Sequence, residues 1–528
     1  MSTAGELILD HVERHARLRP AATAVYEFSA RSEQPREQTW AELDAAADRT
    51  ATALLELGVA PGDAVSYQLP NRLEFITISL ATLRIGAVCE PLMPIFRERE
   101  LDFMLRQSAA RVLVVPDSFR GHDHEAMVRG LQAALGDLEH VIVVGEHNPL
   151  ERYVADADAI GARRPTRDRM AQLLFTSGST GEPKGVLHPH ATLSAAATAH
   201  IRHFGLGAED VIYVPSPLAH QTGFLYGMWI ALTLGVPQVL QESWDPNLGF
   251  DAIQRTGVTF VQAATPFLAD LVAVARERDE MPARLRTFVA AGAAIPRELA
   301  REARSVLGAE VGGAWGSTES CLGTAFAPGD PPELAWSTDG RALSGVGLRI
   351  VDDLGRELPI GAEGNFEVLT PCMFAGYLNR PGLTDAAVTA DGWYRTGDLA
   401  RIDADGYLRI TGRVKDVINR GGEKVPVAEI EQLLYRHPAV REVAIVAMPD
   451  ERLGERACAF VVLEPGGELD LTAMREYLDA ERVAKTYWPE RLEFVDSLPQ
   501  TPSGKVQKFV LRELAAGLVA PAHSGAAK

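Results

Sequence analysis

The sequence predicts an α/β protein with a large amino-terminal domain of sheets rich in parallel strands, covered by helices, and a small α+β carboxyl-terminal domain. The first observation is length, because 528 residues exceed the roughly 100–200 residues of one compact core. The second is an alternation of short β-branched apolar runs with stretches of helical period, typical of parallel sheets covered by helices. The third is a change of this pattern after residue 345 and again after Arg413.

The alternation can be followed through the large domain. Residues 40–57 carry apolar side chains at helical spacing and end at Gly58, and residues 73–85 repeat the pattern and end at Gly86. A glycine directly after such a pattern is typical of a helix end. The short apolar runs between and after these helices are predicted strands, at residues 64–69, 111–115, 140–144, 211–214, 237–241, 259–263 and 287–291.

The last third of the chain has a different pattern of predicted strands and helices. Between residues 345 and 412, short strands separated by DDLG, ADG and DADG turns predict an antiparallel β-meander. After Arg413, a helix near Val427, two strands and a further helix predict a small α+β domain. We therefore expect domains at 1–413 and 414–528. The final residues, 519–528, are rich in Ala, Gly and Ser and are expected to fray.

The overall charge limits the classes of ligand. Lys and Arg number 52 and Asp and Glu number 71, so the formal net charge is −19. Such an acidic surface argues against a dedicated binder of nucleic acid or of anionic membranes. An anionic small molecule is still compatible with it, because a few local cations and backbone amides suffice to hold one.

Cysteine content and apolar patterning predict a cytoplasmic protein. The four cysteines form no C-x-x-C pair and no zinc spacing, which favours buried, reduced thiols. Charges interrupt the amino-terminal segment, so it does not resemble a signal peptide. Residues 224–240 are apolar but contain two glycines and a proline, and we predict a buried helix followed by a strand rather than a membrane span.

The sharpest local signal is residues 176–185, TSGSTGEPKG, which follow a predicted strand at 171–175. Glycines permit close backbone approach, and amides, hydroxyls and an ammonium group can together wrap an oligophosphate. The segment is not a Walker A loop, because Lys184 is followed by Gly185 instead of Ser or Thr. A flexible Ser/Gly linker is the competing interpretation, but the PKG ending and the apolar flanks disfavour it. The residues proposed to line the loop are Thr176, Ser177, Gly178, Ser179, Thr180, Gly181 and Lys184.

Four further motifs follow in order: WGSTE at 315–319, YRTGD at 394–398, GRVKD at 412–416 with RGG at 420–422, and PSGK at 502–505. In this combination the chain resembles the AMP-forming adenylating enzymes, which include acyl-CoA synthetases, firefly luciferase and peptide-synthetase adenylation domains. Residues 91–100 and 217–224 resemble the cyclohexanecarboxylate and medium-chain acyl-CoA ligase branch. The resemblance implies a distorted β-barrel subdomain within the large domain and a small domain that acts as a mobile lid.

The resemblance implies how the reacting groups are held. The 176–185 loop would hold the β- and γ-phosphates of ATP, and Mg²⁺ would bridge phosphate oxygens near Thr180 and Glu319. Lys505 would reach from the small domain to the reacting carboxylate and the α-phosphate. Without the family context, Lys505 would be read as a solvated lysine on a loop near the carboxyl terminus.

The nucleoside is assigned to other motifs by the same resemblance. Asp398 would accept hydrogen bonds from the ribose hydroxyls, seconded by Arg413, although an Asp after a strand could also merely cap a turn. Trp315 stands where the family usually has Tyr or Phe against adenine, and its face should preserve stacking. The remaining residues assigned to the nucleotide are Gly292, Ala293, Gly316 and Thr318.

The acyl group and the thiol are assigned last. By resemblance, His220 lines the acyl pocket and gates the path of the thiol. Further candidates for the pocket lining are Thr222, Cys321 and Leu322. The alternative for His220 is a core histidine whose ring nitrogens are hydrogen-bonded inside the protein. Lys415 would be the hinge about which the small domain rotates. Gly421 and Gly422 would then line a pantetheine channel, where a side chain would obstruct the thiol.

The function predicted from these motifs is an ATP-dependent, AMP-forming acid–thiol ligase with ATP, Mg²⁺ and coenzyme A, and a homodimer is compatible with it. Nitrite activation for diazotisation of an aryl amine, loading of a carrier-protein thiol and a non-enzymatic binding protein are the alternatives. His122, His124, His188 and His190 are interpreted as surface residues, not metal ligands.

Overall fold

The computed structural model describes residues 6–145, 147–176, 183–292, 295–421, 423–450, 452–500 and 506–518. The predicted mixed α/β class, with a large amino-terminal and a small carboxyl-terminal part, is confirmed. The chain divides into two compact units, one of Met1–Leu348 and Val368–Tyr394, the other of Arg349–Glu367 and Arg395–Lys528. We describe each unit by itself.

A nine-stranded sheet in the first unit has six parallel strands at its centre and antiparallel strands at both ends. The central strands are short apolar runs, as expected where helices cover both faces. In spatial order the strands are Arg341–Ala342, Cys321–Ala325, Glu310–Ser317, Thr287–Ala291, Phe260–Ala263, Ile212–Val214, Gln238–Gln241, Thr23–Phe28 and Arg36–Thr39.

A seven-stranded sheet in the same unit carries the phosphate motif. Five of its strands are parallel, and the two strands at one end are antiparallel. In spatial order they are Gly376–Tyr377, Lys184–Pro189, Met170–Thr176, Val88–Pro91, Ala64–Tyr67, Val112–Pro116 and His140–Val144. A small hairpin pairs Ser118–Phe119 with His122–Asp123.

The helices of the first unit follow the predicted pattern. Thr39 caps the helix Trp40–Glu56 by accepting from the Glu42 amide, in a reciprocal capping box. Every residue of the helix Leu73–Arg84 is buried, which is typical of a helix packed on all sides. The other helices are Ile8–Leu18, Glu98–Ser108, His124–Gln132, Ala157–Gly161, His190–Phe204, Gln221–Gly223, Ile230–Leu234, Pro246–Thr256, Thr265–Arg278, Arg297–Leu307, Pro332–Ser337 and Pro381–Ala387, with a 3₁₀ turn at Pro149–Arg152.

The apolar stretch at 224–240 forms the predicted buried helix and strand, with one difference. Phe224–Trp229 is a π-helical segment between the α-helical turns Gln221–Gly223 and Ile230–Leu234, and all six of its residues are buried. Such wide turns are rare and often lie near functional sites. Across the residues that the structure describes, none of the helices combines the length and apolar character that a bilayer crossing requires.

The second unit contains most of a four-stranded sheet and all of a five-stranded one. The four-stranded sheet is the predicted meander: Gly347–Val351, Gly364–Leu369, Tyr394–Ile402 and Leu408–Arg413. The five-stranded sheet contains Glu423–Val425, Ile418–Arg420, Gly454–Leu463, Val440–Asp450 and Arg491–Phe494. The helices are Val427–Leu434, Leu471–Ala480 and Lys508–Gly517, with 3₁₀ turns at Val414–Asp416 and Lys485–Tyr487.

The division into units groups the meander with the carboxyl-terminal residues, whereas the sequence places a boundary between residues 413 and 414. The expected hinge residue, Lys415, lies in the 3₁₀ turn Val414–Asp416. Arg512 Nη1 donates to the Lys415 carbonyl oxygen at 3.0 Å and lies 2.6 Å from Asp416 Oδ1. The domain boundary and the rotation about Lys415 stay predictions.

The interpretation of the histidines as surface residues was wrong for three of the four. His124, His188 and His190 are fully buried, and only His122 is half-buried. His124 Nε2 lies 3.0 Å from the Pro94 carbonyl oxygen, so its polarity is satisfied inside the protein. The four cysteines, by contrast, are buried free thiols as predicted.

Candidate active site

The two ends of the phosphate motif are adjacent across a pair of antiparallel strands. Thr176 ends one strand, Lys184 begins the next, and the two residues are directly opposite each other. Thr176 Oγ1 donates to the Lys184 carbonyl oxygen at 3.5 Å. Thr176 and Lys184 are thus joined by strand pairing and by a side-chain hydrogen bond. The predicted loop residues Ser177, Gly178, Ser179, Thr180 and Gly181 lie outside the described residues.

Glu319 lies in the turn after the strand Glu310–Ser317 and is half-buried. Its Oε1 accepts a hydrogen bond from the Tyr377 hydroxyl at 2.8 Å, and its carbonyl oxygen accepts from the Phe374 amide at 2.8 Å. Burial, reinforced by the Glu319 charge, raises the pKa of Tyr377 above its usual value, so the hydroxyl keeps its proton and donates. A carboxylate oxygen is the ligand type that Mg²⁺ prefers beside phosphates and waters, so Glu319 fits the predicted ion.

Lys184 contacts the ring of the same tyrosine, whose hydroxyl binds Glu319. Its Nζ lies 5.0 Å from the centroid of the Tyr377 ring, a cation–π distance. Tyr377 is in register with Val186 on the strand that Lys184 begins. The structure therefore brings the predicted phosphate cation and the predicted metal carboxylate to one aromatic side chain, which the sequence had not singled out.

The WGSTE motif forms the end of a strand and a turn. Trp315 is buried on Glu310–Ser317, and a Cβ at position 323 on the neighbouring strand would lie 2.8 Å from its Cζ3, so Gly323 makes room for the indole. Gly316 is exposed and Thr318 half-buried. His188 Nε2 lies 2.7 Å from the Thr318 carbonyl oxygen, and burial lowers the pKa of His188 to about 4, so a neutral ring supports this turn.

Gly292 follows the strand Thr287–Ala291 with φ +91°, a conformation that L side chains rarely adopt. Its position at the carboxyl end of a parallel strand is the usual place for a ligand in an α/β sheet. Ala293 lies outside the described residues.

Asp398 and Arg413 form a direct ion pair in the second unit. They lie opposite each other on the antiparallel strands Tyr394–Ile402 and Leu408–Arg413, with Arg413 Nε 2.8 Å from Asp398 Oδ1. Asp398 is 3% exposed and lies within its strand. The structure thus brings the two predicted ribose residues into contact, and their role toward ribose stays a prediction.

His220 caps the turn Gln221–Gly223, and its Nδ1 accepts from the Thr222 amide at 3.2 Å. The ring is half-buried. Next to it, the Gln221 side chain is buried, with Nε2 3.9 Å from Cys321 Sγ, so two stretches a hundred residues apart meet here. Gln221 Oε1 has no hydrogen-bond partner among the described residues. Cys321 has φ +57°, a strained value for a residue with a side chain.

The remaining predicted residues belong to the second unit. Gly421 has φ +60°, and its amide donates to the Leu453 carbonyl oxygen at 2.8 Å. Arg420, the preceding residue, is paired with Glu490 at 2.7 Å. Gly422 and Lys505 lie outside the described residues, so their predicted roles stay predictions.

Sequence reasoning missed Tyr377, Gln221 and His188. Tyr377 and Gln221 lie in apolar or mixed segments where a single polar atom gives no periodic signal. His188 lies in the strand Lys184–Pro189, whose buried residues do not alternate regularly, so no period of two marks its side chain as buried.

Comparisons with known proteins agree with the motif assignment. The family model for the AMP-binding enzyme matches residues 12–378, and that for the AMP-binding enzyme C-terminal domain matches residues 429–505. The medium-chain fatty-acid–CoA ligase of Escherichia coli is 37% identical over 514 residues, covering 96% of this chain and 90% of the relative. The salicyl-AMP ligase/salicyl-S-ArCP synthetase of Mycobacterium tuberculosis is 37% identical, covering 90% and 85%. The crystal structure of ATP-bound MatB from Rhodopseudomonas palustris has a TM-score of 0.85 at 28% identity, covering 96% of this chain and 99% of that one.

Proposed function

The chain belongs to the AMP-binding enzyme family, and from this premise we propose how its residues serve an ATP-dependent acid–thiol ligase. In the first half-reaction the carboxylate of an acid attacks the α-phosphorus of ATP, giving acyl-AMP and pyrophosphate. In the second, a thiol attacks the acyl carbon and AMP leaves. The observation that carries the proposal is the placement of Lys184 and Glu319 at one tyrosine, at the end of the phosphate strands.

The first half-reaction depends more on neutralising the negative charge of the triphosphate than on proton transfer. A carboxylic acid with a pKa of about 4.5 is already ionised at neutral pH, so no general base is required. The difficulty is that an anion must approach a triphosphate, which calls for positioning and for positive charge. Lys184 would contact the phosphates, and Glu319 with Thr180 would hold Mg²⁺, which supplies neutralisation of the phosphate oxygens when bound. Lys505 would bring a cation to the reacting carboxylate.

The nucleoside would be held by a different set of residues. The carboxylate of Asp398 would accept hydrogen bonds from the ribose hydroxyls, and its contact with Arg413 would orient it. The indole of Trp315 offers a stacking surface for adenine. The chain segments proposed to run beside the adenine contain Gly292, Ala293, Gly316 and Thr318.

Coenzyme A is the proposed acceptor of the acyl group. The small domain would rotate about Lys415, withdrawing Lys505 and bringing Gly421 and Gly422 to the thiol path. The lack of side chains at these glycines supports a narrow channel. His220, at the start of its helical turn, would lie where the thiol meets the acyl group.

For the acid, we infer an apolar body with a hydrogen-bond donor, such as a hydroxyl next to an aromatic carboxylate. The unpartnered, buried Oε1 of Gln221 supports this class, because a buried acceptor is costly unless a ligand donor meets it. One relative is named for salicyl transfer and another for medium-chain fatty acids, so the two classes can be compared directly.

The test incubates the protein with ATP, Mg²⁺ and, separately, salicylate, benzoate or octanoate, with and without coenzyme A. We expect pyrophosphate release with salicylate to exceed that with benzoate, and Gln221→Leu to abolish this preference. Turnover of octanoate alone would overturn the acid class while leaving the ligase function intact. Acyl-AMP formation without a coenzyme A thioester would point to a carrier-protein thiol. AMP release that requires nitrite and an aryl amine, and ignores coenzyme A, would overturn the acid–thiol assignment.

Two further expectations accompany this function. Four buried free thiols and the use of ATP suit the cytoplasm. A homodimer stays a prediction, which sedimentation equilibrium would test.

A further inference from the structure

The contacts of Tyr377 connect two charged groups that the proposed reaction uses separately. Its hydroxyl donates to Glu319 Oε1 at 2.8 Å, and the face of its ring lies 5.0 Å from Lys184 Nζ. Among the described residues, no ion pair joins Lys184 to Glu319, and each contacts Tyr377 instead. The carboxylate and the ammonium therefore share a neighbour without forming a direct pair.

The backbone of Tyr377 is fixed to the phosphate strand. Val186 is its register partner, and hydrogen bonds on both sides continue the pairing: Ala375 N to Leu187 O and Leu378 N to Gly185 O, each at 2.8 Å. Its own amide donates to Thr384 Oγ1 at 2.9 Å. Any shift of the tyrosine would thus have to move the strand that Lys184 begins.

The side chain is held as firmly as the backbone. Tyr377 is 6% exposed, and its ring packs edge-on against Phe374 at 4.9 Å between centroids. Phe374 in turn packs edge-on against Tyr394 at 5.9 Å. The Phe374 amide donates to the Glu319 carbonyl oxygen, so this aromatic group also fixes the backbone of the acidic residue.

A flexible ammonium and a carboxylate this close to one ring would otherwise attract each other. A direct pair would satisfy both charges and would leave less of either for a phosphate or a cation. An aromatic ring with a hydroxyl separates them, because its face attracts the cation while its edge group donates to the anion.

We propose that Tyr377 is a positioning residue that keeps the Lys184 ammonium and the Glu319 carboxylate apart and correctly oriented for the triphosphate and its metal ion. This rests on the roles proposed above for Lys184 and Glu319. Tyr377 itself does not touch the reacting atoms in this scheme.

The test compares Tyr377→Phe, which removes only the hydroxyl, with Tyr377→Leu, which also removes the ring. Tyr377→Phe should raise the Mg²⁺ concentration for half-maximal pyrophosphate exchange about tenfold, since it deletes one hydrogen bond to a charged group. Tyr377→Leu should in addition weaken ATP binding measured by calorimetry, with and without Mg²⁺. The matched control is Tyr477→Phe, which removes one tyrosine hydrogen bond, to the Leu433 carbonyl oxygen at 3.1 Å, in the other unit. It should keep the wild-type Mg²⁺ dependence.

A double-mutant cycle with Glu319→Gln separates this proposal from its premise. We expect Glu319→Gln to change the Mg²⁺ dependence and Tyr377→Phe to add little to it, because both remove the same interaction. Additive effects, or an unchanged Mg²⁺ dependence in Tyr377→Phe, would overturn the positioning role alone. A wild-type Mg²⁺ dependence in Glu319→Gln would overturn the metal role of Glu319, and the positioning role with it.

Discussion

Two regions of the molecule treat a pair of opposite charges in opposite ways. In the first unit, Lys184 lies over the ring of Tyr377 and Glu319 accepts from its hydroxyl, and no ion pair joins the two among the described residues. In the second unit, Arg413 contacts Asp398 directly at 2.8 Å. The difference follows from the proposed ligands: phosphates and a metal ion need free charge, whereas ribose hydroxyls need an oriented acceptor whose charge is already compensated. Separated charges are therefore expected to govern rate, and paired charges to govern affinity and local stability.

The largest effect should come from Lys505, the cation proposed to meet the reacting carboxylate. Lys505→Ala should lower pyrophosphate exchange by about two to four orders of magnitude, because it removes charge where charge develops. The Tm should stay close to that of the wild type. Lys508→Ala is the control, since Lys508 is a nearby lysine paired with Glu431 at 2.7 Å. An exchange rate in Lys505→Ala equal to that of the wild type would refute the assignment.

A smaller and more selective effect is expected at the hinge. Lys415→Pro should leave pyrophosphate exchange nearly unchanged and slow thioester formation by about a hundredfold, because a fixed φ opposes rotation of the backbone. The substitution keeps the carbonyl group to which Arg512 donates. Stopped-flow measurement of the two half-reactions separates them. Equal losses in both would count against a hinge at this residue.

Removing the ion pair between Arg413 and Asp398 should have a smaller effect, which is expected both in the KM for ATP and in the free energy of unfolding. Arg413→Ala should raise the KM for ATP about tenfold and lower the free energy of unfolding by about 1–3 kcal/mol, because Asp398 would be left buried without its cation. Lys184→Ala, at the separated pair, should lower the rate without a comparable loss of stability. Chemical denaturation beside steady-state kinetics would check both. A large stability loss in Lys184→Ala and none in Arg413→Ala would contradict the proposed difference between the two regions.

The smallest effect is expected on the pH dependence of stability, from a buried acidic side chain that is neutralised by protonation and not by a cation. Glu90 is fully buried beside Ser66, its Oε1 has no partner among the described residues, and burial raises its pKa to about 8. The folded protein then binds more protons than the unfolded chain between about pH 4.5 and 8, so stability falls as the pH rises through this window. Glu90→Gln should flatten the Tm profile there and raise the Tm at pH 8.5. A profile as steep as that of the wild type would show that Glu90 does not set the slope.

Much of the site could be predicted because its chemistry is local in sequence. The glycines and hydroxyls of 176–185 and the acids Glu319 and Asp398 are each recognisable within a few residues. The sequence assigned Asp398 and Arg413 to the same ribose, and the register of two strands that are neighbours in the chain places them opposite each other. The burial of His188, on a strand, and of His190, the first residue of the helix His190–Phe204, could not be foreseen, because neither local pattern says which face packs inside the protein.

The sequence by itself determined the family and the α/β class, and it supplied the residues proposed to bind phosphate and ribose, because short-range patterns and ordered motifs encode them. Only the tertiary structure decided that Tyr377 contacts both Lys184 and Glu319, and that Gln221 contacts Cys321. The Tyr377–Glu319 and Gln221–Cys321 contacts join residues 58 and 100 positions apart, and Lys184 lies still further from Tyr377 in the sequence. All of them depend on sheet register and helix packing. No local pattern carries that information, since many registers are compatible with the same apolar runs.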